Sequence, residues 1–323
     1  MQYCQTGQLV GKFTIMSSYL GLEIGGTKLQ IVAGDPTGRI HDRRRLAVDR
    51  AAGAAGIQAQ IEQGVRELQK LHSPSGIGIG FGGPVLYRDG RIARSHQIEG
   101  WSGFPLGEWL QSRAGLPVSV ENDSNLATLG EASLGAGAGA SPVFYFNLGS
   151  GVGGGIAIDG RIFHGCPPGE AEFGHLKLDP VGVIVEERCS GWAIDRRLRA
   201  MATAHPDSPL ARMLGPTPGG EGFHFRAALE AGDAGAKTIL QGLAADLGFA
   251  LSHVVHLIHP EVVVLGGGLS AVGEPLRAAI AEALRSQLME VFQPGPAIRL
   301  AKLGEDAVPI GALLLAGQGG VQL

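Results

Sequence analysis

The sequence predicts an α/β fold in two related lobes, and three observations carry that prediction. A glycine-turned hairpin is written twice: Tyr19 to Ile40 reads YLGLEIGGTKLQIVAGDPTGRI, and Val143 to Ile162 reads VFYFNLGSGVGGGIAIDGRI. Each copy is an apolar strand, a small-residue turn, a second apolar strand and an Asp-then-Gly turn running into Arg-Ile, which implies two lobes of one design. Strand-like and helical runs alternate elsewhere, as in layered α/β folds and unlike bundles or sandwiches. Finally, 323 residues with 44% hydrophobic and 17% charged side chains suffice for two separate cores.

The turns matter more than the strands. Gly25, Gly26 and Thr27 in the first copy, and Gly149, Ser150 and Gly151 in the second, are small enough to leave backbone N–H groups facing an anion beside a hydroxyl. One such turn alone would read as a tight hairpin. Its duplication points to a phosphate clamp closed from both lobes.

In chain order, RIHDRRRLAV continues the first hairpin as a third strand, with Arg43, Arg44 and Arg45 as its solvated edge. Ala51 to His72 carries helical spacing at Ile57, Ile61, Val65, Leu68 and Leu71 and stops at Ser73-Pro74-Ser75-Gly76. GIGIGFGGPV is a buried strand whose Gly82-Gly83-Pro84 end admits a ligand close to the backbone. A short helix is expected near Leu106 to Arg113. VSVENDSNLATLGEASLGAG reads as an alternating strand, a polar break at Glu121-Asn122-Asp123, and a helix capped by Ser124 or Asn125. Asp123 thus ends a strand just before a helix, where α/β folds place chemistry; the competing reading is a plain helix cap.

Beyond the second hairpin, HGCPPGEAEFGHLKLDP is polar and broken by Pro and Gly. Helices follow over about Glu186 to Ala204 and Phe223 to Ile258, then the strand EVVVLGGGLS, a helix over about Gly273 to Met289, the strand AIRLAKL and a final helix in VPIGALLLAGQG. The expected division is a disordered extension over 1–17 with Met16 as the natural start, an N-terminal lobe over 18–123, a C-terminal lobe over 124–300, and a strand end and helix over 301–323 returning to the first lobe.

A net charge of −4 argues against a nucleic-acid groove, and 53 glycines fit many tight turns around a ligand. Cys4, Cys166 and Cys189 show no pairing pattern, which points to a reducing, cytoplasmic compartment. No apolar run of membrane-spanning length and no signal-peptide pattern stand out. Two formal G-x-G-x-x-G matches, at Gly78/Gly80/Gly83 and Gly149/Gly151/Gly154, follow strands but open no helix, so a dinucleotide site is not expected; nor does a P-loop occur.

Hairpin turns bind nucleotides in the duplicated arrangement of the actin, heat-shock-chaperone and sugar-kinase superfamily. Within it, Glu23-Ile24-Gly25-Gly26-Thr27-Lys28, Glu121-Asn122-Asp123-Ser124-Asn125, Leu148 to Gly155, Glu172-Phe173-Gly174-His175 and Leu265-Gly266-Gly267-Gly268 resemble, in order, the motifs of the ROK family of repressors, open reading frames and sugar kinases. The resemblance runs from about Tyr19 to the C-terminus. It implies a two-lobed actin-like ATPase (ribonuclease H-like) fold with a central cleft.

It also implies an ATP- and Mg²⁺-dependent hexose kinase acting on a 6-hydroxyl, with glucose the leading sugar and fructose, mannose or an N-acetylhexosamine as alternatives. Asp123 would be the general base. Gly82, Asn122, Glu172, His175 and Glu186 would surround the sugar, joined by Gln97 where relatives commonly have Asn before the Gly-Trp pair, here Gly100-Trp101. Taken alone, His175 would read as structural. Gly25, Gly26, Thr27, Gly149, Ser150 and Gly151 would clamp ATP, and Gly266, Gly267 and Gly268 would pass under the adenosine. Lys28 would neutralise phosphate charge, unless it is a plain exposed lysine. Glu23 stands where the family commonly has Asp, one methylene longer for holding hydrated Mg²⁺.

The cysteine-rich zinc loop of many relatives is missing between His175 and Glu186, so zinc is not expected; Glu186, four residues before Ser190-Gly191, is read as keeping the sugar role that follows that loop. The expected assembly is a homodimer, with a homotetramer as the alternative. The family's repressors carry a helix-turn-helix ahead of the first hairpin, and the eighteen residues there are too few for one. A sugar-sensing regulator without turnover is the rival from another class.

Overall fold

The computed structural model describes residues 17–26, 28–48, 53–95, 99–169 and 171–319. The expected extension lies outside the described residues except for Ser17, as do Thr27 and Gln97.

The first sheet is built from β1 (Tyr19–Ile24), β2 (Lys28–Gly34), β3 (Ile40–Ala47) and, after helix α1 (Gly53–His72), β4 (Ile77–Phe81). A two-stranded ribbon, β5 (Val85–Leu86) with β6 (Arg91–Ile92), and helix α2 (Leu106–Ala114) lead to its last strand, β7 (Val118–Asn122). Its order is β3-β2-β1-β4-β7, with β1–β2 and β2–β3 antiparallel and β1–β4 and β4–β7 parallel. Helix α3 (Asp123–Leu134) crosses to the second sheet, whose hairpin is β8 (Val143–Leu148) and β9 (Val152–Ile158), flanked by β10 (Arg161–Ile162).

Five helices follow: α4 (Val185–Cys189), α5 (Gly191–Ala204), α6 (Pro209–Met213), α7 (Phe225–Glu230) and α8 (Ala234–Ile258). Then come β11 (Val262–Gly266), α9 (Glu274–Arg285), β12 (Ala297–Leu300) and α10 (Ala307–Gly317). The second sheet, β10-β9-β8-β11-β12, repeats the first in order and in strand direction. The duplicated hairpin therefore seeds a duplicated sheet.

Each sheet has its own core. Ile57, Ile61, Val65 and Leu68 of α1 pack on the first with Leu20, Leu22 and Trp101; Leu71, expected in that stripe, is 64% exposed. Phe144, Phe146 and Phe173 pack with Leu243 and Leu247 in the second. Helix α8 has the length and apolarity of a membrane span, but 56% of its most apolar window is buried inside the protein. Its hydrophobicity serves the second core.

Several helix boundaries differ from expectation, each for a local reason. The run over Glu186–Ala204 divides at Ser190, whose hydroxyl caps α5 through Ala193 N. The run over Phe223–Ile258 breaks at Gly232, with φ of 78°, and restarts where Asp233 caps Ala236 N. Helix α9 ends at Arg285, short of Met289, because the Gln293 amide takes the carbonyls of Arg285 and Leu288. On the edge strand β3 the arginines divide: Arg43 meets Asp306 at 2.6 Å and Arg44 meets Asp42 at 2.6 Å, whereas Arg45 is 58% exposed, as a solvated edge requires.

Helices α3 and α10 lie against each other between the sheets, α10 facing β1 and β4, α3 facing β8 and β9. Glycines set that spacing. A Cβ on Gly78 would stand 2.0 Å from Ala312 O, and one on Gly311 2.0 Å from Leu126 O. The buried Glu131 of α3 fixes the chain's return by accepting from Ala136 N at 2.7 Å, Lys302 N at 3.1 Å and Leu303 N at 2.7 Å.

Candidate active site

Parallel register builds the rim of the first lobe. Ile24, Phe81 and Asn122 are aligned across β1, β4 and β7, so the residues that follow them, Gly25, Gly82 and Asp123, emerge together at the carboxyl ends of three strands. This is where open α/β sheets hold ligands. Gly82 N donates to Ile24 O at 2.9 Å, and a Cβ at Gly82 would stand 3.3 Å from Asp123 Oδ2. The small residue keeps that carboxylate clear.

The helix cap is Asn122, not Ser124 or Asn125. Its Oδ1 accepts from Ser124 N at 2.8 Å and Asn125 N at 3.1 Å, while its Nδ2 donates to Gly83 O at 3.1 Å. That leaves Asn122 one N–H for anything else. Asp123 begins the helix and accepts from Ser124 N at 2.7 Å. Burial first, and the Glu23 carboxylate next, push its carboxyl up to about 6 against the bonds from Ser124. A carboxylate so tuned is mostly ionised at neutral pH yet basic enough to take a proton.

Glu23 meets Lys28 Nζ at 3.3 Å through Oε2, and the same oxygen accepts from Gln30 Nε2. Lys28 is thus tied to the hairpin's own acid. Glu23 Oε1 has no partner among the described residues.

In the second lobe, Gly149 N donates to Gly151 O at 3.0 Å, and Gly191 N at the start of α5 donates to Gly149 O at 2.7 Å. Glu186 Oε2 accepts from Val152 N at 2.8 Å and faces Gly151, so Glu186 stands beside the second turn. Glu172 precedes and His175 ends the short 3₁₀ turn Phe173–His175 that packs on β9, both exposed and without a side-chain partner among the described residues. The chain between His175 and Glu186 is closed by a Lys177–Ile184 bridge and by Asp179, which accepts from Gly182 N and Val183 N.

Of Gly266, Gly267 and Gly268, Gly268 lines a described cavity. A Cβ on Gly266 would meet Tyr145 Oη at 2.3 Å, and one on Gly267 the Leu148 backbone at 2.5 Å, so close packing requires glycine at both. The cavity, about 200 Å³, is lined by Gly149, Ser150, Trp192, Phe223, Gly268 and Leu269. Trp192 and Phe223 are 64% and 87% exposed, offering two aromatic faces to a flat heterocycle. Asp195 steadies the turn bearing Phe223 by accepting from Gly222 N at 2.7 Å and Gly220 N at 3.1 Å. Sequence reasoning missed Trp192, Asp195 and Phe223; an exposed Trp directly after Ser190-Gly191 was the available signal. A larger cavity of about 760 Å³ runs along β7 and α2 and excludes Asp123. Among the described residues, no group of three or more His, Cys, Asp or Glu side chains is placed to hold a metal.

Two sheets of one topology, each presenting a glycine turn and a strand-end rim, define a two-lobed protein of the actin-like ATPase fold. Residues 19–319 match the ROK family, and the chain belongs to it. It is 32% identical to a glucokinase of Halalkalibacterium halodurans over 314 residues, 93% of this chain and 95% of that one. Against a Streptomyces coelicolor glucokinase the identity is also 32%, over 93% and 98% of the two chains. Its structure matches the crystal structure of a ROK family glucokinase from Streptomyces griseus in complex with glucose and AMPPNP, with a TM-score of 0.80 and 33% identity over 94% of this chain and 100% of that one.

Proposed function

We propose that this protein is an ATP-dependent hexose kinase that transfers the γ-phosphoryl group of ATP to the 6-hydroxyl of glucose. The observation that carries the reading is Asp123, at the rim where three parallel strands end, with its carboxyl raised to about 6. Full-length similarity to glucokinases supports it.

Asp123 takes the proton of the sugar hydroxyl as that oxygen attacks phosphorus in line. Glu172, His175 and Glu186 bind the other hydroxyls from the second lobe, with the polar atoms that have no partner among the described residues as the donors and acceptors that a sugar needs. The two glycine turns hold the phosphates, and the base lies between Trp192 and Phe223.

Mg²⁺ commonly rides on nucleotide phosphates with one or two carboxylates and several waters. One carboxylate oxygen is open to it: Glu23 Oε1 has no partner among the described residues, while Lys28 Nζ holds Oε2 at 3.3 Å. Bound there, the ion would neutralise phosphate charge. Closure of the lobes excludes water, so that the sugar accepts the phosphoryl group. A cytoplasmic homodimer is the form we assign to the working enzyme.

Coupled ADP release with Mg-ATP, measured across glucose, fructose, mannose, N-acetylglucosamine and N-acetylmannosamine with a no-sugar control, tests this. Turnover highest with glucose is expected. Sugar-dependent thermal stabilisation without ADP would replace the kinase with a sensor.

A further inference from the structure

The duplicated hairpins give the first lobe a built-in control. The cross-strand pair one step out from each turn is Glu23 with Gln30 in the first copy and Asn147 with Gly153 in the second. Only the first pair is charged, and its Gln30 is fully buried. Its Nε2 donates to Glu23 Oε2 and to Glu305 O at 3.3 Å, while its Oε1 accepts from Arg43 Nη1 at 3.4 Å. Arg43 is itself held by Asp306 at 2.6 Å.

These partners fix the amide's orientation. Flipping it would set its oxygen against the Glu23 carboxylate and the Glu305 carbonyl, and its N–H₂ against Arg43.

We propose that Gln30 is the positioning residue for Glu23. It pins Oε2 of a long, flexible carboxylate, alongside Lys28, and leaves Oε1, without a partner among the described residues, as the oxygen that would meet a Mg²⁺ ion carried by the nucleotide. This rests on the kinase reading of the cleft. It also ties the return segment before α10 to the acid at the rim, because the same amide nitrogen binds both.

The test compares wild type, Gln30→Leu, Glu23→Asp and the double variant. Calorimetry reads binding of Mg-ADP and of ADP in EDTA; kinetics reads kcat and the sugar KM; melting reads the fold. Gln30→Leu should weaken Mg-ADP binding by about tenfold, in the range for lost outer partners of metal-binding groups. ADP binding in EDTA and the sugar KM should stay within about twofold. The two substitutions should be non-additive, because a carboxylate already loosened loses less on being shortened.

Equal weakening of ADP with and without Mg²⁺, additive losses, or unchanged Mg-ADP binding would each overturn the proposal. Should Gln30→Leu fail to fold, Gln30→Asn keeps an amide one methylene short and carries the same expectations. Wild type without ADP formation would sink the kinase reading itself, whereas active wild type with indifferent Gln30 variants sinks only this assignment.

Discussion

The two hairpins share strand direction and place in their sheets, though four residues separate the paired Ile24 and Leu29 and three the paired Leu148 and Val152, and they are filled oppositely. The first carries Glu23, Lys28 and Gln30 around its turn, a network of charge and amide. At the matching place the second has Asn147, whose Oδ1 accepts from Gly153 N at 2.8 Å, and then glycines. A Cβ on Gly153 would lie 2.2 Å from Ser124 Oγ, and one on Gly155 2.1 Å from Thr128 Oγ1. Side chains are absent there because α3 occupies their space. One copy of the hairpin thus handles charge while the other seats the helix that begins with Asp123.

That contrast can be broken from either side. The largest effect is expected at the acid served by both copies: Asp123→Asn should lower kcat by on the order of 10² to 10⁴ while leaving sugar binding near wild type, as read by steady-state kinetics and a binding titration. Equal loss of both would make Asp123 a structural residue. The same group predicts the pH profile. Its folded value is raised to about 6, so activity that needs the ionised form should fall as pH drops below about 6. Its effect on stability has the opposite sense: the neutral form is favoured in the fold, so its contribution is present below the ordinary value of 3.8 and lost as pH rises through about 6. Comparing kcat and Tm over that window separates the two.

Loading the second copy tests its role as a seat. Gly155→Val should push on Thr128 and cost about 2 kcal/mol, seen as a lower denaturation midpoint, because overpacking a tight contact typically costs about 1–3 kcal/mol. A variant as stable as wild type would show that α3 is not seated by those glycines. The smallest effect is expected beside the second turn: Trp192→Ala should raise the KM for ATP roughly tenfold, within the span of base–aromatic stacking, and leave the sugar KM unchanged. A larger shift in the sugar KM would move Trp192 out of the base slot.

What the sequence disclosed was local. Both hairpins, the strand ending at Asp123 and the run of α/β elements could be read because period, turn chemistry and motif order lie within a few residues of one another. The cap was misplaced to Ser124 or Asn125 because all of Asn122, Ser124 and Asn125 are good capping types, and only the backbone geometry selects Asn122. Gly266 and Gly267 were legible as glycines of a turn, but not the close packing on Tyr145 and Leu148 of a neighbouring strand that requires them. Gln30 passed as an ordinary strand residue, since its partners Glu305 and Arg43 are brought to it by the return of the chain and by β3. Trp192 and Phe223 face one slot only after α5 and the turn at Gly220 are in place.

The crossing of α3 and α10 bears on how the protein is made. Strands β1 and β4 are synthesised early, but the helix packed on them is Ala307–Gly317, and the loop leading to it is anchored on Glu131. As the chain leaves the ribosome, the first lobe has its strands yet lacks one of its faces, while the second lobe's core can close around β8, β11 and α8. The sheet begun first in the chain is therefore covered on that face by the helix made last, so its packing there waits for Ala307–Gly317.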